Sequence, residues 1–275
     1  MDRKIRLKDE RSRIALLVVL AALVGLVLMS LDPISQDSAY HLFADENALG
    51  AIPNWQNVLS NVPFAIVGLM GLRYLVKAGQ MPGRAVPQSL GWTLLFTGVF
   101  LTALGSGYYH WQPSNFGLFW DRLPMTVGFS GLFAAIIGER VSDKVYTIVL
   151  WPLTLMGLFS AVYWIVTESY GMGDLRMYAF VQFFPLLAIP LLLWLCPPRY
   201  THGYMIMLAL GCYVISKICE DRDRQIWELT RETVSGHAIK HLFAALGCYV
   251  LLVMLKRRIK MGTKMGTMEW SHRFE

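Results

Sequence analysis

Apolar residues dominate this chain in runs of about twenty, separated by short polar breaks. Eight such runs can be delimited: 14–31, 57–77, 90–111, 121–138, 145–166, 176–196, 203–219 and 237–255. A helix of about twenty apolar residues crosses a hydrocarbon core of roughly 30 Å, so each run is a candidate transmembrane helix. The breaks carry turn signals, such as Met81-Pro-Gly-Arg84 and Cys196-Pro-Pro-Arg199, and are too short to hold a soluble domain. The pattern predicts an all-α polytopic membrane protein: a compact helical bundle without repeats.

Composition agrees. Of 275 residues, 55% are hydrophobic and only 16% charged, which is too apolar for a soluble domain of this length. The net charge is +6, but the basic residues cluster at span ends, so nucleic acid is not indicated as a partner. With alternating spans, 18 of the 25 Lys and Arg fall on the side of the N-terminus, five on the other, and Lys217 and Lys240 within spans. The positive-inside rule then puts both termini in the cytoplasm. The first apolar run is long for a signal peptide, and no A-x-A site follows Met29, so an uncleaved anchor is expected. No N-x-S/T acceptor or ER-retention signal occurs, which fits a bacterial inner membrane. The four cysteines, Cys196, Cys212, Cys219 and Cys248, have no C-x-x-C spacing and read as small buried hydrophobes.

Against this background a few ionisable residues stand out, because charge is costly in hydrocarbon and usually functional there. Ser106-Gly-Tyr-Tyr-His110 closes the third span, Asp121-Arg-Leu-Pro-Met125 opens the fourth, and His237-Ala-Ile-Lys-His241 opens the eighth. The predicted topology brings all of them to one depth, toward the non-cytoplasmic side. His237 and His241, four apart on a helix, share a face. Three imidazoles can bind zinc and leave a fourth position open for water, with Asp121 as general base and Ser106 steadying water or an oxyanion. Each piece alone has a plainer reading. His110 can be interfacial, Asp121 a helix cap, Ser106 a packing residue, and an H-x-x-x-H pair a haem or packing feature. Lys217 and Glu220 are expected to pair with each other or with Asp221. Lys240 is expected to snorkel to the interface, and Glu220 to Arg224 to form a solvated loop.

Taken together the motifs resemble the alkaline ceramidase family of the CREST membrane hydrolases. The spacing Ser106-x-x-x-His110, the Asp121-x-Leu-Pro-Met125 piece and His237-x-x-x-His241 are similar throughout, Asn57-Val-Leu-Ser-Asn61 resembles the family's opening motif, and Ile218-Cys-Glu220 its penultimate helix end. The resemblance implies a seven-helix transmembrane core, spans two to eight, preceded by one extra helix. The corresponding divisions are residues 1–35, a ceramidase-like domain 36–258 and a cytoplasmic tail 259–275. It also implies His110, His237 and His241 as zinc ligands, Asp121 as the group that orients and deprotonates the attacking water, and Ser106 as the residue that polarises the carbonyl or holds the water. The reaction would split a ceramide amide into sphingoid base and fatty acid, making a lipid and the bilayer the partners. A zinc-containing receptor, or a hydrolase of another lipid amide or ester, is the alternative in the same superfamily. The family's acidic loop binds calcium and ends in a glutamate; here that position is Asn54. Asp45, Glu46 and Asn47 still offer oxygen ligands of the kind calcium takes.

Overall fold

The computed structural model describes residue 7 and residues 9–81 and 86–261. The basic N-terminal residues before 7, the turn after Met81 and the tail beyond Met261 lie outside the described residues. Ten α-helices follow in order: α1 (Glu10–Ser30), α2 (Trp55–Leu59), α3 (Val62–Gln80), α4 (Ser89–Trp111), α5 (Asn115–Arg140), α6 (Asp143–Ser169), α7 (Arg176–Leu195), α8 (Tyr204–Asp221), α9 (Asp223–Leu229) and α10 (Gly236–Arg257). No strand is present among the described residues. The eight long helices coincide with the eight apolar runs. Six of them are long and apolar enough to cross a membrane, counting α2 with α3 as one. The other two, α5 and α8, carry more charge: Asp121, Arg122, Glu139 and Arg140 on one, Lys217, Glu220 and Asp221 on the other.

The helix starts are written locally. Ser114, Ser142 and Ser235 cap α5, α6 and α10, each with its hydroxyl accepting a backbone N–H three residues on, which satisfies donors that a helix start leaves free. Asp9 does the same for α1. Lys256 and Arg257 close α10, where cations suit the helix dipole.

Close approach of α4 to α5 positions the site. Gly91, Gly98 and Gly105 recur every seven residues on α4 and face α5. A methyl group on Gly98 would lie 2.6 Å from the Gly128 amide nitrogen and the Pro124 carbonyl, and one on Gly105 would strike the Trp120 carbonyl. Small residues are what allow membrane helices to meet backbone to backbone. Ser106, beside Gly105, is thereby brought against Asp121, beside Trp120. Helix α3 packs on α4, α6 on α5, and α10 against both α3 and α8. Helix α1 lies outside this group, against α7.

Candidate metal centre

His110 ends α4, and His237 and His241 occupy the first two turns of α10. All three are buried, and one ligating atom from each lies within 4.8 Å of the others. Their ring centroids are 4.7 Å (His110–His237), 5.0 Å (His110–His241) and 5.1 Å (His237–His241) apart. Among the described residues this is the one cluster of three or more His, Cys, Asp or Glu able to hold a metal ion.

The polar bonding of the rings fits a metal. Both ring nitrogens of His110 and Nε2 of His241 are buried without a hydrogen-bond partner. Buried polar atoms are nearly always satisfied, so orphans of this kind need a partner. Ser60 fixes the third ring. Its hydroxyl donates to the Asn57 carbonyl (3.1 Å) and, with that proton spent, accepts from His241 Nδ1 (2.7 Å). The network therefore assigns the proton to Nδ1 and leaves the Nε2 lone pair free toward the cluster. Metal-ligating histidines commonly have their other nitrogen held in this way. Three imidazoles are a donor set suited to zinc with an open fourth position.

Asp121 and Ser106 join the same region. Asp121 is buried in the second turn of α5, and the buried Ser106 lies beside its carboxylate. The cap of α5 is Ser114, so the capping alternative for Asp121 is set aside and its carboxylate is available for chemistry.

The loop before α2 covers the cluster. Phe43 is only 3% exposed, and its ring centroid lies 4.7 Å from that of His110 and 5.1 Å from that of His237. Asp223 clamps this loop to α10, accepting from the Ala44 amide and the His237 amide, both at 2.9 Å. Asn54, in the left-handed region with φ 45°, donates its side-chain amide to the His110 carbonyl at 2.9 Å. The position where the family's calcium-loop glutamate is expected is thus a tether to a cluster histidine. Asp45 is fully buried and accepts from the backbone amides of Asn47 (3.3 Å) and Gln56 (3.0 Å), while Glu46 and Asn47 are exposed.

Two expectations need correction. Lys240 does not snorkel; its Nζ lies 2.7 Å from Glu220 Oε1 and 2.9 Å from His237 Nε2. The buried Glu220 carboxylate on α8 holds the ammonium inward. The run from Glu220 to Arg224 is not a plain solvated loop: it ends α8 and starts α9, and Asp223 is the clamp just described. Lys217 does pair with Glu220, as expected, and Tyr40 donates its hydroxyl to the same carboxylate at 2.7 Å. The cysteines are free thiols.

Fold and site define a multi-pass, all-helical membrane protein whose buried three-histidine cluster adjoins a serine–aspartate pair. The family model described as Ceramidase matches residues 47–274, and the chain belongs to that family. Membership implies a hydrolase acting on amides, with a lipid substrate. No curated protein matches the chain.

Proposed function

We propose that the protein is a zinc-dependent intramembrane amidase that cleaves ceramide-type lipids into a sphingoid base and a fatty acid. The observation that carries this reading is the three-histidine cluster with orphaned ring nitrogens beside the buried Ser106 and Asp121. His110, His237 and His241 would hold the ion. Bound zinc supplies Lewis acidity, polarising a carbonyl and lowering the pKa of water toward about 7.

The chain's own residues then handle position and protons. Ser106 orients the Asp121 carboxylate. Asp121 takes a proton from the attacking water as oxygen adds to the amide carbon. The same carboxyl returns that proton to the amide nitrogen as the C–N bond breaks, giving acid and amine. Phe43 and the loop clamped by Asp223 keep bulk water from the cluster. A groove of roughly 370 Å³ between α7 and α8, lined among others by Phe183, Leu186, Tyr213 and Val214, reaches Lys217. Lys217 pairs with Glu220, which also holds Lys240 beside His237. An amphiphile can enter along it with its tails still in apolar surroundings.

By the same reading residues 36–258 form the seven-helix catalytic unit, α1 is an addition, and the site faces the non-cytoplasmic side of a bacterial inner membrane. The test is Asp121→Asn in detergent-purified protein. It should keep zinc and lose about 10²- to 10⁴-fold in kcat on ceramide; undiminished turnover would contradict the assignment.

A further inference from the structure

Lys240 stands between two of the cluster histidines in sequence and turns into the site. The simplest account of a buried lysine is that it neutralises a buried carboxylate. That account is incomplete here, because Glu220 already has Lys217 and the Tyr40 hydroxyl. Lys217, with its side chain 35% exposed, already pairs with that carboxylate from the groove side. Lys240 is also within electrostatic reach of Asp121 and Tyr109. Its side chain is 16% exposed, and that of Glu220 10%, so the pair is largely shielded from water.

The contact with His237 adds a second point. The Nε2 lone pair of an imidazole serves one partner at a time. Were this nitrogen to ligate a metal, the lysine N–H would lose this acceptor, while Glu220, at 2.7 Å, would still hold the ammonium in place. An N–H anchored beside the cluster would then be released from His237. A fixed cation is favourable at such a point when negative charge arrives or develops there.

We propose that Lys240 is a second electrophile of the site. Its ammonium donates to the carbonyl oxygen that gains charge as water adds, and it then holds one oxygen of the fatty carboxylate released. The subsite therefore selects a carboxylate over a neutral polar group on the same chain. Glu220 is a positioning residue for it, fixed in turn by Tyr40 and Lys217. This rests on the amidase reading, but its binding arm does not require turnover.

The experiment compares wild type, Lys240→Met and Lys240→Arg, all zinc-loaded in detergent. Zinc content is measured first. Binding of palmitic acid and of hexadecanol is then measured by titration calorimetry, followed by kcat and KM on ceramide. Lys240→Met should keep one zinc and bind hexadecanol as wild type does, yet bind palmitic acid at least tenfold more weakly. Its kcat should fall about 10²- to 10³-fold with KM nearly unchanged, the size expected for loss of one oxyanion donor. Lys240→Arg should recover part of both losses. Equal palmitic acid affinity in wild type and Lys240→Met would overturn the proposal, as would an equal fall in hexadecanol binding. If wild type turned over no ceramide yet bound palmitic acid through Lys240, the amidase reading would fail and the carboxylate subsite would stand. Should Lys240→Met fail to fold, Lys240→Arg decides, since wild-type palmitic acid binding with kcat below one per cent would overturn it.

Discussion

Ser60 decides which nitrogen His241 offers to the cluster, and it does so from the turn between α2 and α3, which contributes no ligand. Its hydroxyl proton goes to Asn57, so its lone pair takes the proton of His241 Nδ1. Ser60→Ala should leave the fold intact and weaken zinc about 10- to 100-fold, the usual cost of losing such a partner. Competition against a chelator measures this, and unchanged affinity would remove Ser60 from the site. A second residue-scale device holds the loops together. Asp174 accepts from the Arg176 amide (3.0 Å), from its Nε (2.9 Å) and Nη2 (2.8 Å), and from the Tyr163 hydroxyl (3.2 Å). Arg176 also donates to the Leu31 carbonyl at the end of α1 (2.6 Å). Hydrogen bonding to Arg176 holds the Asp174 carboxyl below its ordinary range. A depressed carboxyl stabilises the fold fully above the unfolded value, near pH 4, and ceases to do so as pH falls through the folded one. Asp174→Asn should therefore cost about 1–2 kcal/mol at pH 7, with the gap from wild type closing below about pH 4. Melting curves across pH test this, and a gap that stays constant to pH 2 would contradict it.

Among the elements, the α4–α5 pair carries the most consequence. Its glycine stripe sets the helix separation that places Ser106 on Asp121. Gly98→Ala should lower stability by about 1–3 kcal/mol, because the added methyl meets backbone that cannot move aside. Gly107→Ala, with open space around it, should be neutral. Thermal unfolding of both in detergent separates packing from composition, and equal melting points would argue against the stripe. The long helices were legible in the sequence to within a few residues, because a bilayer demands length and apolarity that few other settings do. The three histidines that the fold brings together stood out because ionisable groups in an apolar run are rare. What was not legible depends on distant partners. The inward turn of Lys240 needs Glu220, twenty residues away, and the role of Asn54 needs the carbonyl of His110. Short α9 and the clamp at Asp223 lay in a charged run whose polarity alone looked like solvent exposure. Ser60 sat in a quoted motif, but its bond to His241 joins α10 to the turn before α3, and spacing along the chain says nothing of that.

At the scale of the whole molecule, the first helix stands apart from the others. Helix α1 is almost entirely unburied, with 6% of its most apolar window inside the protein, and the family match begins after it, at residue 47. Bilayer contact rather than protein packing accounts for its long apolar surface. The remaining helices bring Ser106, Asp121, Glu220 and Lys240 toward the histidine cluster, and the loop before α2 closes over it. The central claim is that this cluster binds zinc and that the bound ion cleaves a lipid amide. The measurement that tests it most directly is metal content and lipid hydrolysis on the same detergent-purified sample, wild type beside His241→Ala, with a panel of ceramides and one phospholipid. The account predicts about one zinc per chain and fatty acid released from ceramides alone in wild type, with both lost in the variant. Ceramide turnover surviving in zinc-free His241→Ala, or zinc bound by wild type with no product from any lipid, would contradict it.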